Sequence, residues 1–154
     1  MLPLHCAVEA GAGVDTVKTL LDVYPAADTK DGQGRYPLHR AVEGCLGVEV
    51  IEALLAAPIQ NDIPLDKLKD ANERLPLHRA AVGTAPAEVV RAIIAANPEA
   101  ARAKDSLGRI PLHYAAGNNA PKPILDAVLE AFPRGTRERD KDGQLPAMEG
   151  EGLA

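Results

Sequence analysis

One short motif, an apolar residue followed by Pro-Leu-His, recurs along the whole chain of 154 residues. Four copies begin at Leu2, Tyr36, Leu75 and Ile110, and a fifth, altered copy begins at Leu145. The prolines of successive copies are 34, 39, 35 and 35 residues apart. Recurrence at a period of about 20–50 residues is typical of solenoids, in which one supersecondary unit is stacked many times. This spacing restricts the fold more than any other feature of the sequence.

Each period contains the same order of local signals. The proline of the motif suits the first turn of a short helix, where its missing N–H has no partner to lose. A longer apolar stripe at helical spacing follows and predicts a second helix. A turn with Asp at its first position and usually Gly at its fourth leads into the next copy. The four stripes are Val14, Val17, Leu20 and Leu21; Val50, Ile51, Leu54 and Leu55; Val89, Val90, Ile93 and Ile94; and Ile124, Leu125, Val128 and Leu129.

The composition agrees with an all-α fold. Apolar residues make up 46% of the chain, but aromatic residues only 3%, and Trp is absent. A core of Ala, Leu, Val and Ile suits closely stacked helices better than a β-sandwich. The net charge is −5 with no basic block, which argues against nucleic acid as a partner. No apolar run reaches the length of a membrane span, and the first residues lack the features of a signal peptide.

The repeating unit of turn, short helix and long helix resembles the ankyrin repeat. The Thr-Pro-Leu-His-x-Ala signature of that family is matched, apart from its Thr, from Pro3 to Ala7, Pro37 to Ala41, Pro76 to Ala80 and Pro111 to Ala115. The family's turn is matched at Asp31/Gly34, Asp105/Gly108 and Asp140/Gly143, whereas the turn at Asp70 has Glu73 in place of Gly. An apolar residue replaces the capping Thr in every copy, which gives up about 1 kcal/mol per helix. The resemblance implies a variant ankyrin-type helix-turn-helix solenoid.

We therefore expect one domain over 1–154, with about four repeats and a partial fifth. The boundaries are about 1–30, 31–69, 70–104, 105–139 and 140–154. The first unit lacks its turn and the last lacks its long helix, so the chain is either a fragment of a longer array or has ends that a partner closes. The connection 58–69 is longer than its counterparts. It is either a tolerated insertion or an arm in which Ile59, Ile63 and Leu65 grip a neighbour.

The histidines of the motif are interpreted as structural rather than as metal ligands or catalysts. Equivalent atoms in stacked units should lie roughly 8–10 Å apart, too far to share one ion. We expect each imidazole to bond to the backbone of a neighbouring turn, and this applies to His5, His39, His78 and His113. No metal, cofactor or catalytic residue is assigned, because no known catalytic motif is present. Cys6 and Cys45 are interpreted as reduced residues beside the core, which favours a reducing compartment. Organellar targeting stays open.

The resemblance also implies a binding surface. In ankyrin repeats the turn tips and the exposed ends of the short helices line a concave face. Arg35, Arg74 and Arg109 occupy the same place in three successive turns, and Gln144 continues the row. These arginines either bind carboxylates of a partner or pair locally with the turn aspartates Asp31, Asp70, Asp105 and Asp140. The full predicted surface consists of Gln33, Arg35, Glu43, Asn72, Arg74, Val82, Ser106, Leu107, Arg109, Asn118, Lys141 and Gln144.

Two functions are consistent with this sequence. The first is a non-catalytic protein–protein interaction module that binds a partner, one with an acidic surface if the arginines are free, through the concave face. The second is a structural or linker subunit that its uncapped ends hold inside a larger multiprotein assembly. An enzymatic function is not expected.

Overall fold

The computed structural model describes residues 2–24, 27–57 and 68–147. Within these ranges the chain forms helices, turns and loops, without a β-strand. The all-α prediction is therefore confirmed for the described part. The α-helices are α1 (Pro3–Glu9), α2 (Val14–Val23), α3 (Pro37–Glu43), α4 (Val48–Leu55), α5 (Pro76–Ala80), α6 (Ala87–Ala96), α7 (Pro111–Gly117) and α8 (Lys122–Ala131). Short 3₁₀ helices follow α6 and α8, at Pro98–Arg102 and Pro133–Arg137.

The helices pack in two adjacent rows. The short helices α1, α3, α5 and α7 contact one another in sequence, and so do the long helices α2, α4, α6 and α8. Each short helix also packs against the long helix that follows it. The result is a chain of neighbouring helix pairs, in which each pair has its main contacts with the pairs before and after it.

The Pro-Leu-His motif starts every short helix. Proline is the first helical residue in all four, and the apolar residue before it has extended backbone angles. The histidine stands three residues after that apolar residue. In three units its Nδ1 accepts the backbone N–H of the apolar residue, over 3.4 Å at Tyr36, 3.1 Å at Leu75 and 3.2 Å at Ile110. The histidine ring thus accepts the backbone N–H of the N-cap residue. In a capping box this bond is usually made by the side chain of Glu or Gln.

The short helices end in a left-handed residue. Its φ is positive at Gly11, Cys45, Gly83 and Asn119. After three of these residues the next backbone N–H bonds to a carbonyl five residues earlier, as Ala12 does to Ala7, Leu46 to Ala41 and Ala120 to Ala115. This closure reverses the chain within a few residues and sends it into the following long helix.

The core lies between the two rows. The leucine of each Pro-Leu-His motif is buried, and each long helix contributes one fully buried aliphatic residue from its stripe: Val17, Ile51, Val90 and Val128. In α6 and α8 the stripe residues Val89 and Ile124 are buried as well, and Leu20, Leu55, Ile94 and Leu125 are partly buried against this core. The arm predicted within 58–69 involves Ile59, Ile63 and Leu65, which lie outside the described residues, as does the end of the partial fifth unit from residue 148.

Candidate functional site

The four aspartate turns share one hydrogen-bond pattern. In each, Oδ1 of the aspartate accepts the backbone N–H of the second and the fourth residue after it, over 2.8–3.0 Å. The aspartate's own N–H donates to the carbonyl of that fourth residue. The aspartates are Asp31, Asp70, Asp105 and Asp140. Because one carboxylate oxygen holds two amides, the backbone of every turn is closed in the same shape.

Successive turns lie against one another. The N–H of Ser106 donates to the carbonyl of Asn72 over 3.1 Å, and the N–H of Lys141 donates to the carbonyl of Leu107 over 3.0 Å. At the first pair of turns, a Cβ added to Gly34 would come within 3.0 Å of the Ala71 Cβ. The turns therefore form one continuous ridge across the repeating units.

The histidines connect each short helix to the turn of the next unit. Nε2 lies 3.1 Å from the Arg35 carbonyl at His5, 2.8 Å from the Arg74 carbonyl at His39, 3.1 Å from the Arg109 carbonyl at His78, and 3.1 Å from the Gln144 carbonyl at His113. In the last three rings Nδ1 accepts a backbone N–H, so the proton belongs on Nε2, which donates to the turn carbonyl. Among the described residues, no group of three His, Cys, Asp or Glu side chains is arranged to hold a metal ion.

Burial lowers the pKa of two of these rings, His39 and His78, below the usual value for histidine. At His39, loss of hydration lowers the pKa to about 4, although the bond to the Arg74 carbonyl and the nearby Asp70 favour the charged form. The pKa of His78 is lowered in the same direction and for the same first reason, against the opposing effect of Asp105. If the ring were protonated, Nδ1 would carry a proton as well. It could then no longer accept the backbone N–H at the start of the short helix, and that bond would be lost.

In three units the residue after the histidine binds the turn aspartate of its own unit. Arg40 Nε lies 3.3 Å from Asp31 Oδ2, and Arg79 Nη2 lies 3.0 Å from Asp70 Oδ2. The hydroxyl of Tyr114 donates to Asp105 Oδ2 in the same way. These three residues are absent from the sequence-predicted surface. Their signal was available, because each occupies the same position of the repeated motif and each can donate to a carboxylate.

These bonds hold the aspartates in the charged form. Burial by itself would raise the pKa of Asp70, but the N–H groups of Arg74 and Asn72 and the guanidinium of Arg79 donate to it and lower its pKa below the usual value. The pKa of Asp105 is lowered for similar reasons, with the Tyr114 hydroxyl as the strongest donor. The turns are thus built around buried carboxylates whose lone pairs are used by the fold.

The row of arginines lies on the turns and takes part in local ion pairs. Arg35 Nε is 3.2 Å from Asp31 Oδ2, and Arg109 Nε is 3.2 Å from Asp140 Oδ2. Arg74 Nε is 3.7 Å from Asp105 Oδ2, with its guanidinium 5.3 Å from the centre of the Tyr114 ring. Each of these three arginines therefore pairs with a turn aspartate. This is one of the two alternatives that the sequence left open.

We define the turn face as the surface formed by the four turns and the ends of the short helices next to them. Ion pairs join these parts directly, since Arg35 Nη1 lies 2.8 Å from Glu43 Oε2 at the end of α3. The sequence-predicted surface residues divide by exposure. The exposed residues are Gln33, Asn72, Leu107, Asn118, Lys141 and Gln144, and the partly buried ones are Arg35, Glu43, Arg74, Val82, Ser106 and Arg109.

Other sequence-based placements differ from the structure. Cys6 and Cys45 are both free and exposed, so the expectation that they lie beside the core is wrong. Cys45 lies outside because it occupies the left-handed position that closes α3. In the described part of the chain, no helix is long and apolar enough to cross a membrane.

Comparison with known proteins adds no relative. No family model matches the sequence, and no curated protein matches it either. The class of protein that the coordinates define is thus an all-helical stack of neighbouring helix pairs with a ridge of aspartate turns.

Proposed function

We infer that the chain is an ankyrin-type repeat protein and that it acts as a non-catalytic protein-binding module. The partner binds on the turn face. Three features support the ankyrin assignment: the period of the Pro-Leu-His motif, the alternation of short and long helices in two rows, and the identical hydrogen bonds of the four turns. The binding function rests on how the turns divide their side chains between the fold and the solvent.

This division is the observation that carries the proposal. The aspartate recurs in all four turns and the histidine in all four short helices, and Oδ1 of each aspartate and Nε2 of each histidine are used by the backbone. The second residue after each aspartate is exposed in all four units, yet its identity varies: Gln33, Asn72, Leu107 and Asp142. A rigid, repeated backbone that presents varied side chains along one ridge is suited to recognition of an extended partner.

The same bonds argue for a non-catalytic role. A general base needs a lone pair that can accept a substrate proton. In the described units, Nδ1 of three histidines accepts a backbone N–H, and Nε2 of all four faces a carbonyl oxygen. The turn carboxylates accept two amides each as well as a side-chain donor. These residues therefore serve as framework, and the residues left for contact with a partner are the side-chain amides, Leu107, Lys141, Asp142 and the exposed edges of the arginines.

The test is a selection from a displayed library of protein fragments, followed by affinity measurements on the recovered binders. The double variant Gln33→Ala/Asn72→Ala removes two exposed turn side chains that make no side-chain bonds to the described fold. Binders of the turn face should lose affinity by about tenfold or more. The matched control is Glu52→Ala/Arg91→Ala, which changes exposed residues on the long helices α4 and α6. Recovered binders that respond to the control and not to the turn variant would contradict the proposal.

A second candidate function is that of a subunit built into a larger assembly. It is favoured by the exposure of apolar side chains away from the turn tips, at Val23 and Tyr24, which are 63% and 58% exposed. These two exposed residues are neighbours in the sequence, and contiguous exposed apolar surface is typical of protein–protein contact sites. Sedimentation of the isolated chain distinguishes the candidates. A stable monomer supports the module, and self-association that Tyr24→Ser abolishes supports the subunit.

A further inference from the structure

The turn face has two halves that differ in charge. In the half formed by the first three units, the ion pairs share residues and form one continuous network. Arg40 binds Glu9 and Asp31, Arg35 binds Asp31 and Glu43, and Arg79 binds Glu43 and Asp70, all within 3.3 Å. These guanidinium groups are already neutralised by carboxylates of the same chain. An acidic partner would have to break existing pairs in order to bind them, so this half offers little gain to such a partner.

The other half has a pocket of about 240 Å³ between α7 and the last turn. Its wall includes Arg109, Tyr114, Asn118, Gln144 and Leu145. Gly117 also lines it, and because glycine has no side chain, it leaves room beside α7. The pocket therefore combines the Arg109–Asp140 ion pair, two amides and an apolar surface within a volume that fits one or two side chains, and His113 also lines it.

Arg109 differs from the other two arginines of the row. Its side chain is 35% exposed, against 12% for Arg35 and 24% for Arg74. Within the described residues its one ion pair is made through Nε, to Asp140. Asp140 is itself held by the N–H groups of Asp142 and Gln144. The guanidinium is thus fixed at one edge, while its two terminal nitrogens have no hydrogen-bond partner in the described part of the chain. A carboxylate can accept from both of them.

Leu145 supplies an apolar contact next to this cation. It occupies the position of the motif at which Tyr36, Leu75 and Ile110 are at most 5% exposed, yet Leu145 is 43% exposed. Tyr114 lies in the same wall and is held by its bond to Asp105. Tyr and Arg are the residue types most enriched at interface hot spots, and a fixed aromatic ring gives contact area at little entropic cost. An apolar side chain that enters the pocket would cover Leu145.

We propose that this pocket is the anchor site of the turn face, and that it binds a partner segment in which an Asp or Glu stands within a residue or two of an apolar side chain. The apolar side chain packs on Leu145 and Tyr114, and the carboxylate is bound by the terminal nitrogens of Arg109. The side-chain amide of Gln144 and Oδ1 of Asn118, whose Nδ2 donates to the Tyr114 carbonyl, are placed to bind the backbone of an extended segment. The inference rests on the proposed function and adds to it the location and the chemistry of the anchor.

The test uses random linear peptides displayed on phage, selected on the full chain. Selected sequences should be enriched in an acidic residue adjacent to, or one residue from, Leu, Met, Ile or Phe.

For a synthetic peptide of this kind, measured by fluorescence polarisation, Arg109→Gln should weaken binding by at least about tenfold. Leu145→Ser should weaken it by about three- to tenfold. A peptide with Gln in place of its Glu should bind the parent chain and Arg109→Gln equally. Arg91→Gln, on the exposed side of α6, is the charge-matched control and should change nothing.

Circular dichroism and thermal melting check that Arg109→Gln and Leu145→Ser keep the parent fold. A third variant, Arg109→Lys, separates the effect of the positive charge from that of the guanidinium geometry. Lys retains the charge but cannot form the two parallel bonds, so intermediate affinity is expected. Peptides that bind the turn face but are insensitive to Arg109→Gln and Leu145→Ser overturn the pocket while the proposed function stands. If no peptide or fragment binds the turn face, both proposals are wrong.

Discussion

At the scale of single residues, the fourth position of each turn shows where this chain departs from its own pattern. Gly34, Gly108 and Gly143 have φ between 73° and 76°, and Glu73 holds the same position with φ 58°. A left-handed conformation is easy for glycine and unfavourable for a residue with a Cβ, by about 1 kcal/mol. The turn nevertheless closes, because Asp70 binds the amides of Asn72 and Arg74 as the other turn aspartates do.

Glu73→Gly should therefore stabilise the chain by about 0.5–1 kcal/mol, after allowance for the larger entropy of glycine in the unfolded state. Urea unfolding measures this change. Glu73→Ala is the matched control, since it removes the exposed side chain and retains the strained φ, and its effect should be near zero.

The reverse substitution, Gly34→Ala, should destabilise by more than about 1 kcal/mol. It introduces a Cβ both at a positive φ and within 3.0 Å of the Ala71 Cβ. Equal effects of Gly and Ala at position 73 would contradict this account of the turn.

At the scale of elements, a histidine joins each short helix to the turn of the next unit, and in His39, His78 and His113 both ring nitrogens are bonded. His39 caps the start of α3 through Nδ1 and holds the turn of the following unit through Nε2. Both bonds require the ring to carry its proton on Nε2 alone. The charged groups that face this ring are Asp70 and Arg79, with His78 also nearby.

Stability should fall as the pH is lowered through the range in which free histidine titrates. The pKa of His39 is about 4 in the folded chain and about 6.5 in the unfolded chain. Between pH 4 and pH 6.5 His39 binds a proton in the unfolded state but not in the folded state. Its contribution to the free energy of unfolding is therefore complete above about pH 6.5 and decreases at lower pH. From pH 7 to pH 5, His39 alone should remove about 2 kcal/mol from the free energy of unfolding.

Urea unfolding at a series of pH values measures this loss, and His78 should add to it in the same direction. The matched control is His39→Gln, which retains a donor at the position of the ring and cannot titrate. This variant should be less stable at pH 7 but should lose less stability between pH 7 and pH 5. The turn aspartates do not interfere, because their lowered pKa values affect stability only at more acidic pH. An unchanged pH dependence in His39→Gln would assign the effect to other groups.

At the scale of the whole molecule, the two-row arrangement makes stability a property of interfaces between neighbours. The main contacts of each helix are with its own unit and with the adjacent units. Interior units are covered on both sides and terminal units on one side. In such a stack the free energy of local opening is expected to rise from the ends towards the middle.

Hydrogen exchange measured by mass spectrometry should therefore show the greatest protection in α3 to α6 and earlier exchange in α1, α2 and α8.

Leu77→Ala removes a fully buried side chain in the middle of the stack and should cost about 2–5 kcal/mol. Its loss of protection should be largest in α5 and in its neighbours α3, α6 and α7. Leu4→Ala is the matched variant at the end of the stack and should affect α1 to α3 most. Equal loss of protection in all helices for both variants would indicate a single cooperative unit instead.

The short motif was sufficient to predict the helix starts. Proline can begin a helix but cannot continue one, and the period of the motif gives the number of units, so Pro3, Pro37, Pro76 and Pro111 are readable directly from the sequence. The apolar stripes were readable too, because helical spacing places them on one face. The bonds of Arg40, Arg79 and Tyr114 were not predicted, since they join a helix to a turn nine residues earlier and depend on how the unit folds back.

The sequence by itself thus determined the all-helical class, the repeating unit and the residues that start its short helices. These features depend on local backbone geometry and on hydrophobic periodicity, which a single chain segment already contains. Only the tertiary structure decided which arginines are neutralised. Arg35 and Arg109 look equivalent in the sequence, but Arg35 is paired by both Asp31 and Glu43, whereas among the described residues Arg109 is paired by Asp140 alone. That difference depends on distances between side chains of separate elements, and these distances are set when the units stack.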